Sequence, residues 1–161
     1  MTKEELMRRA ISNGKYGFDN NFGGPFGALI VDENTGEIIS EGYNTVIRDK
    51  DPTAHAEINT IRLACKKLNT FDLSEKYTNK KLTLFTSCYP CPMCLSAIMW
   101  SRLNKVVYGG KEDDAFEIGF DDSSFREEIK NNKFTFDIEE FDSNLNKELF
   151  KYAKRKGINI Y

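Results

Sequence analysis

Apolar and polar positions along the chain follow two periods, one typical of amphipathic helices and one typical of strands. Near the start, Thr2 and Glu5 form a possible capping box, and apolar residues follow at helical spacing. We therefore expect the chain to open with an amphipathic helix that ends near Gly14 or Gly17. The apolar positions that indicate this helix are Leu6, Ala10 and Ile11.

Further along, strand-like and helix-like segments alternate. Residues 26–31 and 38–43 flank a polar turn and predict a β-hairpin. A helical pattern follows His55, a strand pattern covers residues 82–86, and a second pair of helix and strand follows at 91–101 and 105–108. Strands that alternate with helices predict a sheet covered by helices.

The bulk composition limits the class of protein. The chain has 161 residues, of which 40% are hydrophobic and 30% charged, and its formal net charge is -2. This length suits a single domain over residues 1–161 with one core. A near-neutral charge does not favour binding to DNA or RNA, which usually needs a basic face. The basic residues near the C-terminus are read as a solvated helix face; they are Lys147, Lys151, Lys154, Arg155 and Lys156.

Location is predicted from the termini and the cysteines. Residues 1–6 carry acidic side chains and no apolar core, so we expect no secretory signal, and no apolar run approaches membrane-spanning length. The chain has four cysteines. Without an export signal, they favour a reducing compartment, and we expect a cytoplasmic protein without a membrane partner.

Two short motifs carry the candidate chemistry. His55 is the only histidine and lies in Pro-Thr-Ala-His-Ala-Glu, while Cys91 and Cys94 lie in Pro-Cys-Pro-Met-Cys. One imidazole and two thiolates supply three zinc ligands, which leaves the fourth position of a tetrahedron for water. Glu57 lies two residues from the histidine and is a candidate for the carboxylate that moves protons in such a site. This arrangement resembles the H-x-E and P-C-x-x-C pattern of zinc-dependent base deaminases.

Two other cysteines leave an alternative open. Cys88 lies three residues before Cys91 and could complete a closed structural Cys/His site. Cys65 lies in an apolar helical stretch, where a buried small hydrophobic residue is the ordinary interpretation.

The spacing of the motifs also predicts their local geometry. Cys91 and Cys94 are three apart on one helix and therefore face the same side. His55 and Glu57 are two apart, so His55 must precede a helix that begins near Ala56. Both helix N-termini then converge on the metal, where unpaired N–H groups favour thiolates. Pro92 suits the first turn of the second helix.

Beyond single residues, the motifs resemble the cytidine deaminase superfamily. Pro-Thr-Ala-His-Ala-Glu and Thr-Ser-Cys-Tyr-Pro-Cys-Pro-Met-Cys resemble its metal-binding motifs. Residues 23–31 and 42–44 resemble the first strand pair of its purine-acting branch, and residues 114–123 resemble a segment of bacterial guanine deaminases. The resemblance covers most of residues 1–130.

This resemblance implies both a fold and an activity. The expected fold is a three-layer α/β/α domain with a central mixed sheet of about five strands. The expected activity is zinc-dependent hydrolysis of guanine to xanthine and ammonia, with Glu57 as the proton carrier and no organic cofactor. Members of the family form homodimers that exchange C-terminal helices, which would place the C-terminal tail over a neighbour's pocket.

The resemblance also implies further site residues. Asn44 would hydrogen-bond the edge of the base, and Asp114 would contact the base and help to move its proton. Phe26 would pack against the flat base. Ala56 and Tyr161 complete the expected substrate contacts.

Some features leave other functions open. Phe116 and Ile118 are bulkier than the residues expected in their loop, so cytosine, guanosine or a triazine amine are alternative substrates. A tRNA adenosine deaminase is a further alternative, which the missing basic face disfavours. A non-catalytic zinc-binding scaffold is the alternative that is not an enzyme. Glu57 disfavours it, because a scaffold needs no group that carries protons.

Overall fold

The structure is a computed structural model that describes residues 1–141, 143–158 and 160–161. These residues divide into two compact units, Met1–Asp122 and Ser123–Tyr161. The strands are β1 (Gly27–Asp32), β2 (Ile38–Tyr43), β3 (Leu82–Cys88) and β4 (Val106–Gly110). The helices are α1 (Lys3–Asp19), α2 (Val46–Asp49), α3 (Ala56–Leu68), α4 (Glu75–Thr78), α5 (Pro92–Trp100), α6 (Glu112–Glu117), α7 (Ser123–Asn131) and α8 (Ser143–Lys156).

The strands form one mixed sheet in the order β2-β1-β3-β4. Strand β1 pairs antiparallel with both β2 and β3, whereas β3 and β4 are parallel. The mixed sheet is confirmed, but the expected number of about five strands is wrong, because the described residues form four. Residues 133–141 carry apolar side chains at alternate positions, but they form no strand in this structure.

Helices cover both faces of this sheet, which confirms the three-layer architecture. On one face, α1 packs Leu6 and Ala10 against Leu29, Val31 and Phe85. On the other face, residues of α3 and α5 pack against alternate residues of the same strands; the cluster includes Ala28, Ile30, Leu84, Ala56, Ile61, Ala64 and Ile98. All six residues of β1 are buried, as expected for a strand that is covered on both faces.

Helix α1 has the predicted capping box, but it does not end at the predicted glycines. Thr2 accepts from the Glu5 N–H, and Glu5 accepts in return. The helix continues to Asp19 and buries Gly14 and Gly17. A Cβ on Gly14 would lie 2.8–2.9 Å from the backbone of residues 25–27, so this glycine permits close packing and does not stop the helix.

The second unit contains α7 and α8. No residue of α7 is buried, and α8 carries the predicted run of exposed basic residues. Apolar side chains of both helices are exposed too, with exposed fractions of 58% for Ile129 of α7, and 59% for Leu149 and 64% for Phe150 of α8. That residues 1–161 form a single domain stays a prediction.

Among the described residues, no helix is long and apolar enough to cross a membrane.

Candidate active site

The site is built at the N-termini of two helices. His55 is the N-cap of α3 and has extended backbone dihedrals, φ -70° and ψ 159°, so the helix begins at Ala56 as predicted. Cys91 is the N-cap of α5, with Pro92 at its start, so this helix begins one residue later than predicted. Neither side chain caps its own helix, which leaves both free to point at a common centre.

The three predicted ligands lie together. The Nδ1 atom of His55 is 3.5 Å from the Sγ atom of Cys91 and 3.6 Å from that of Cys94. All three ligand atoms lie within 4.8 Å of one another. With bonds of about 2.3 Å to sulfur and about 2.0 Å to nitrogen, a tetrahedral zinc ion separates such ligands by about 3.5 Å. The residues present therefore fit zinc.

The pKa values of the two thiols are shifted in opposite directions. The hydrogen bond from Cys94, together with His55, lowers the pKa of Cys91 to about 4. The same contact raises the pKa of Cys94, and burial and the charge of Glu57 add to the increase. Two close sulfurs cannot both ionise without a cation, whereas a divalent ion holds both as thiolates. The site is thus matched to a positive charge.

Glu57 lies beside the ligands and is 6% exposed. Its Oε1 atom accepts from the Thr86 hydroxyl at 2.9 Å, and its Oε2 atom lies 3.4 Å from the Cys94 sulfur. Burial raises the pKa of this carboxyl group above its ordinary value. A buried carboxyl group beside a cluster of possible metal ligands is placed to accept and return a proton.

The remaining cysteines lie outside the cluster. Cys88 is half-buried, and its sulfur donates to the carbonyl oxygen of Lys111 at 3.4 Å. It is absent from the described group of possible metal ligands, which supports the open site over the closed alternative. Cys65 packs against the core, as expected for a small hydrophobic residue, but it is half-buried and not fully buried.

Asn44 directly follows β2 and is 4% exposed. The side-chain Oδ1 atom of Asn44 accepts from the Val46 N–H at 3.1 Å, and the backbone N–H of Asn44 donates to the Phe26 carbonyl oxygen. A Cβ on Gly23 would lie 2.0 Å from this Oδ1 atom. The backbone around Asn44 therefore holds the amide in one orientation, in which Nδ2 is the group left for a ligand.

The predicted base contacts differ in their surroundings. Phe26 packs partly against the core, and its ring meets the edge of Phe120 at a centroid distance of 4.9 Å. Asp114 is exposed on α6, and its Oδ2 atom accepts from the Lys111 N–H at 2.6 Å. The bulky Phe116 is exposed, with an exposed fraction of 59%, and Ile118 is similar at 58%.

Ala56 and Tyr161 complete the predicted set. Ala56 is fully buried as the first residue of α3, where backbone N–H groups have no partner within the helix. Tyr161 belongs to the second unit and is 66% exposed. The substrate contacts of Asn44, Phe26 and these two residues stay predictions.

Asp122 is an acidic residue whose charge acts on the ligand cluster and which the sequence analysis did not single out. It is half-buried, and its negative charge helps to raise the pKa of His55, after the larger effect of Cys91. It also raises the pKa of Cys88, after burial and the charges of Glu57 and Asp114. Asp122 therefore lies near the ligands. The sequence signal for Asp122 was its position in the Asp114–Ser123 segment, which resembles guanine deaminases. In that segment, Asp114 was the aspartate expected to contact the base.

These features define a class of zinc-dependent hydrolase. A family model described as the cytidine and deoxycytidylate deaminase zinc-binding region matches residues 1–110. The chain belongs to this family, and it is a hydrolytic deaminase that uses zinc. The zinc and enzyme predictions are confirmed.

Within this family, the chain is similar to guanine deaminases and to tRNA-specific adenosine deaminases. The chain is 46% identical over 129 residues to guanine deaminase from Bacillus subtilis, covering 80% of this chain and 78% of the relative. A crystal structure of guanine deaminase from Bacillus subtilis superposes with a TM-score of 0.85 at 38% identity, covering 100% of this chain and 98% of the other. A tRNA-specific adenosine deaminase from Aquifex aeolicus is 42% identical over 67% of this chain and 66% of its own length. The predicted resemblance to guanine deaminases is confirmed.

Proposed function

We propose that this chain hydrolyses guanine to xanthine and ammonia. The observation that carries the proposal is the buried Glu57 carboxylate beside an open cluster of His55, Cys91 and Cys94. A three-ligand site with a neighbouring carboxylate is built for catalysis, whereas a closed structural site uses four protein ligands. Guanine is supported as the substrate by the similarity to guanine deaminases over most of the chain.

The chemistry needs one metal and one proton carrier. Zinc held by His55, Cys91 and Cys94 supplies Lewis acidity that makes water nucleophilic near neutral pH. Glu57 accepts a proton from the attacking water and delivers one to the amine that leaves as ammonia. Its buried position excludes bulk water from this exchange.

Base recognition is assigned to side chains around the metal cluster. Asn44 donates from Nδ2 to an acceptor on the base, since its Oδ1 atom is already bound by the Val46 N–H. Phe26 contributes an aromatic surface. A carboxylate accepts N–H groups of the base, with Asp114 as the residue expected from the resemblance and Asp122 as the aspartate whose charge acts on His55. The first-turn N–H of Ala56 adds a backbone donor.

The C-terminal segment is proposed to join two copies into a homodimer. Support comes from the exposed apolar side chains of α7 and α8, among them Ile129, Leu149 and Phe150. Exposed apolar surface of this kind marks an interaction site. In the proposed dimer, the segment is exchanged and Tyr161 closes over the pocket of the second copy. Sedimentation analysis that gives the mass of a monomer at micromolar concentration contradicts this arrangement.

The proposed location is the cytoplasm, with a role in purine breakdown or salvage. The four cysteines form no disulfide in the structure, and the proposed mechanism needs two of them as thiolates. Thiols persist in reducing compartments. Fractionation of the source cells tests this location.

A substrate panel tests the function. The zinc-loaded protein is incubated with guanine, adenine, cytosine, guanosine, a triazine amine and tRNA, and ammonia release is measured. Guanine is expected to be turned over fastest. Faster release from another small base or nucleoside leaves deamination intact and changes the substrate, whereas release only from tRNA favours the relationship to the tRNA-specific deaminases. No release from any compound contradicts an enzymatic role.

A further inference from the structure

The two oxygens of the Glu57 carboxylate lie in different surroundings. Oε1 accepts a hydrogen bond of 2.9 Å from the hydroxyl of Thr86, on the central strand β3. Oε2 lies 3.4 Å from the sulfur of Cys94, one of the metal ligands. One oxygen therefore faces the sheet and the other faces the metal cluster.

We propose that Thr86 is a positioning residue for proton transfer by Glu57. The inference rests on the proposed deaminase function of Glu57 and deepens it. By donating to Oε1, Thr86 fixes the rotation of the carboxylate and leaves Oε2 as the oxygen that exchanges protons beside the metal. In this role, Thr86 contacts neither the base nor the metal. It acts only through Glu57.

Thr86 is well placed to hold a flexible side chain still. It is 1% exposed, and its backbone pairs with Ala28 of β1 on one side and with Tyr108 of β4 on the other. A β-branched side chain has restricted rotation about its first torsion, so the hydroxyl has little freedom to move. Glu57, by contrast, has three side-chain torsions to restrain. A hydrogen bond to an ionised carboxylate is among the stronger kinds, which suits this task.

A buried hydroxyl needs a partner whether or not it serves catalysis. The same strand offers a matched case. Thr83 is fully buried, and its hydroxyl donates to Oε1 of Glu33 at 3.0 Å. Glu33 is bound by Lys81 and Lys105, and it lies outside the cluster of possible metal ligands found among the described residues. Thr83 is therefore a control for the loss of a buried threonine–carboxylate hydrogen bond as such.

The test compares Thr86→Val with Thr86→Ser and Thr83→Val in the zinc-loaded full chain. Valine has nearly the shape of threonine without the hydroxyl. Thr86→Val is expected to lower kcat by about 10- to 100-fold, the usual loss when a group that orients a site residue is removed. KM and zinc content should stay near the parent values. Thr86→Ser should restore most of kcat, and Thr83→Val should keep it.

A double variant provides a second readout. If Thr86 acts through Glu57, adding Thr86→Val to Glu57→Gln lowers kcat little further, because the two effects are not additive. The two substitutions should also be non-additive in the thermal unfolding midpoint, which is measured without turnover. Parental kcat in Thr86→Val, an equal loss in Thr83→Val, or full additivity overturns the inference while guanine turnover by the parent stands. A parent that releases ammonia from no base overturns the proposed function itself.

Discussion

Residues 1–122 and residues 123–161 use apolar side chains in opposite ways. In the first region they fill two clusters, one on each face of the sheet. In the second region the described apolar side chains of α7 and α8 are exposed, as Ile129 and Phe150 illustrate. Burial of apolar surface is the dominant favourable term in folding, so the first region has its own source of stability and the second requires a further surface.

The same division separates the proposed chemistry from the proposed closure of the site. His55, Cys91, Cys94 and Glu57 all lie in the first region, on elements that pack against the sheet. The second region supplies the tail that ends at Tyr161. Changes in the first region are therefore expected to alter metal binding and catalysis directly, whereas changes in the second region should leave the metal in place.

The largest effect is expected from loss of a metal ligand. Cys94→Ala removes a fully buried ligand sulfur, and the two remaining ligands should bind zinc poorly. Metal analysis should show near-complete loss of zinc, and ammonia release should disappear. Cys88→Ser is the control and should keep zinc. Loss of zinc from Cys88→Ser would instead indicate a closed site with four protein ligands.

Glu57→Gln separates metal binding from proton transfer within the first region. The amide keeps the shape of the side chain and cannot carry the proton, so turnover should fall by roughly two or more orders of magnitude. Zinc content and the circular dichroism spectrum should match the parent. Turnover within a factor of a few of the parent value would assign proton transfer to another group.

Gly23→Ala tests the orientation of Asn44. The added methyl group would lie 2.0 Å from Oδ1, so the amide must move, and the proposed contact with the base should be lost. Loss of one such hydrogen bond corresponds to a rise in KM of about 10-fold, and zinc should be retained. Gly36→Ala, in a turn where the added Cβ meets nothing within 4 Å, should change stability alone. Equal KM values in Gly23→Ala and the parent would exclude Asn44 from base binding.

A tail deletion tests the second region. Removal of Ile160 and Tyr161 should lower guanine turnover a few-fold, because in the proposed dimer Tyr161 covers the pocket of the second copy and excludes water. Zinc content should not change. Tyr161→Phe keeps the ring and should behave more like the parent than the deletion does. If the deletion strips zinc, the division between the two regions fails.

The smallest effect concerns the stability of the first region. The hydrogen bond from Lys105, with others from Thr83 and Lys81, lowers the pKa of Glu33 from 4.5 to about 2. A pKa that is lower in the folded state contributes stability above pH 4.5, and this contribution is lost as the pH falls toward 2. Glu33→Gln should therefore reduce the free energy of unfolding at pH 7, by less than about 1 kcal/mol, because its lysine partners are exposed.

Urea unfolding at several pH values measures this difference. The gap between Glu33→Gln and the parent should narrow below pH 4.5. A gap that is constant with pH would mean that the carboxylate charge contributes nothing.

Local spacing was enough to predict the start of α3 and the capping box of α1. A two-residue separation between His55 and Glu57 forces the histidine out of the helix, and the structure places it at the N-cap of α3. The Thr2–Glu5 capping box is likewise a local device, so the sequence alone predicts it. Such features involve residues close in the chain, where spacing controls geometry.

Contacts between distant segments were decided by the tertiary structure. Gly14 was expected to end a helix, but its missing side chain allows the backbone near Phe26 to approach. The hydrogen bond between Thr86 and Glu57 joins residues 29 positions apart, and no local pattern indicates it. The number of strands, the position of Asp122 near His55 and the fixed amide of Asn44 likewise depend on packing between elements, because apolar periodicity says which face is buried but not what lies against it.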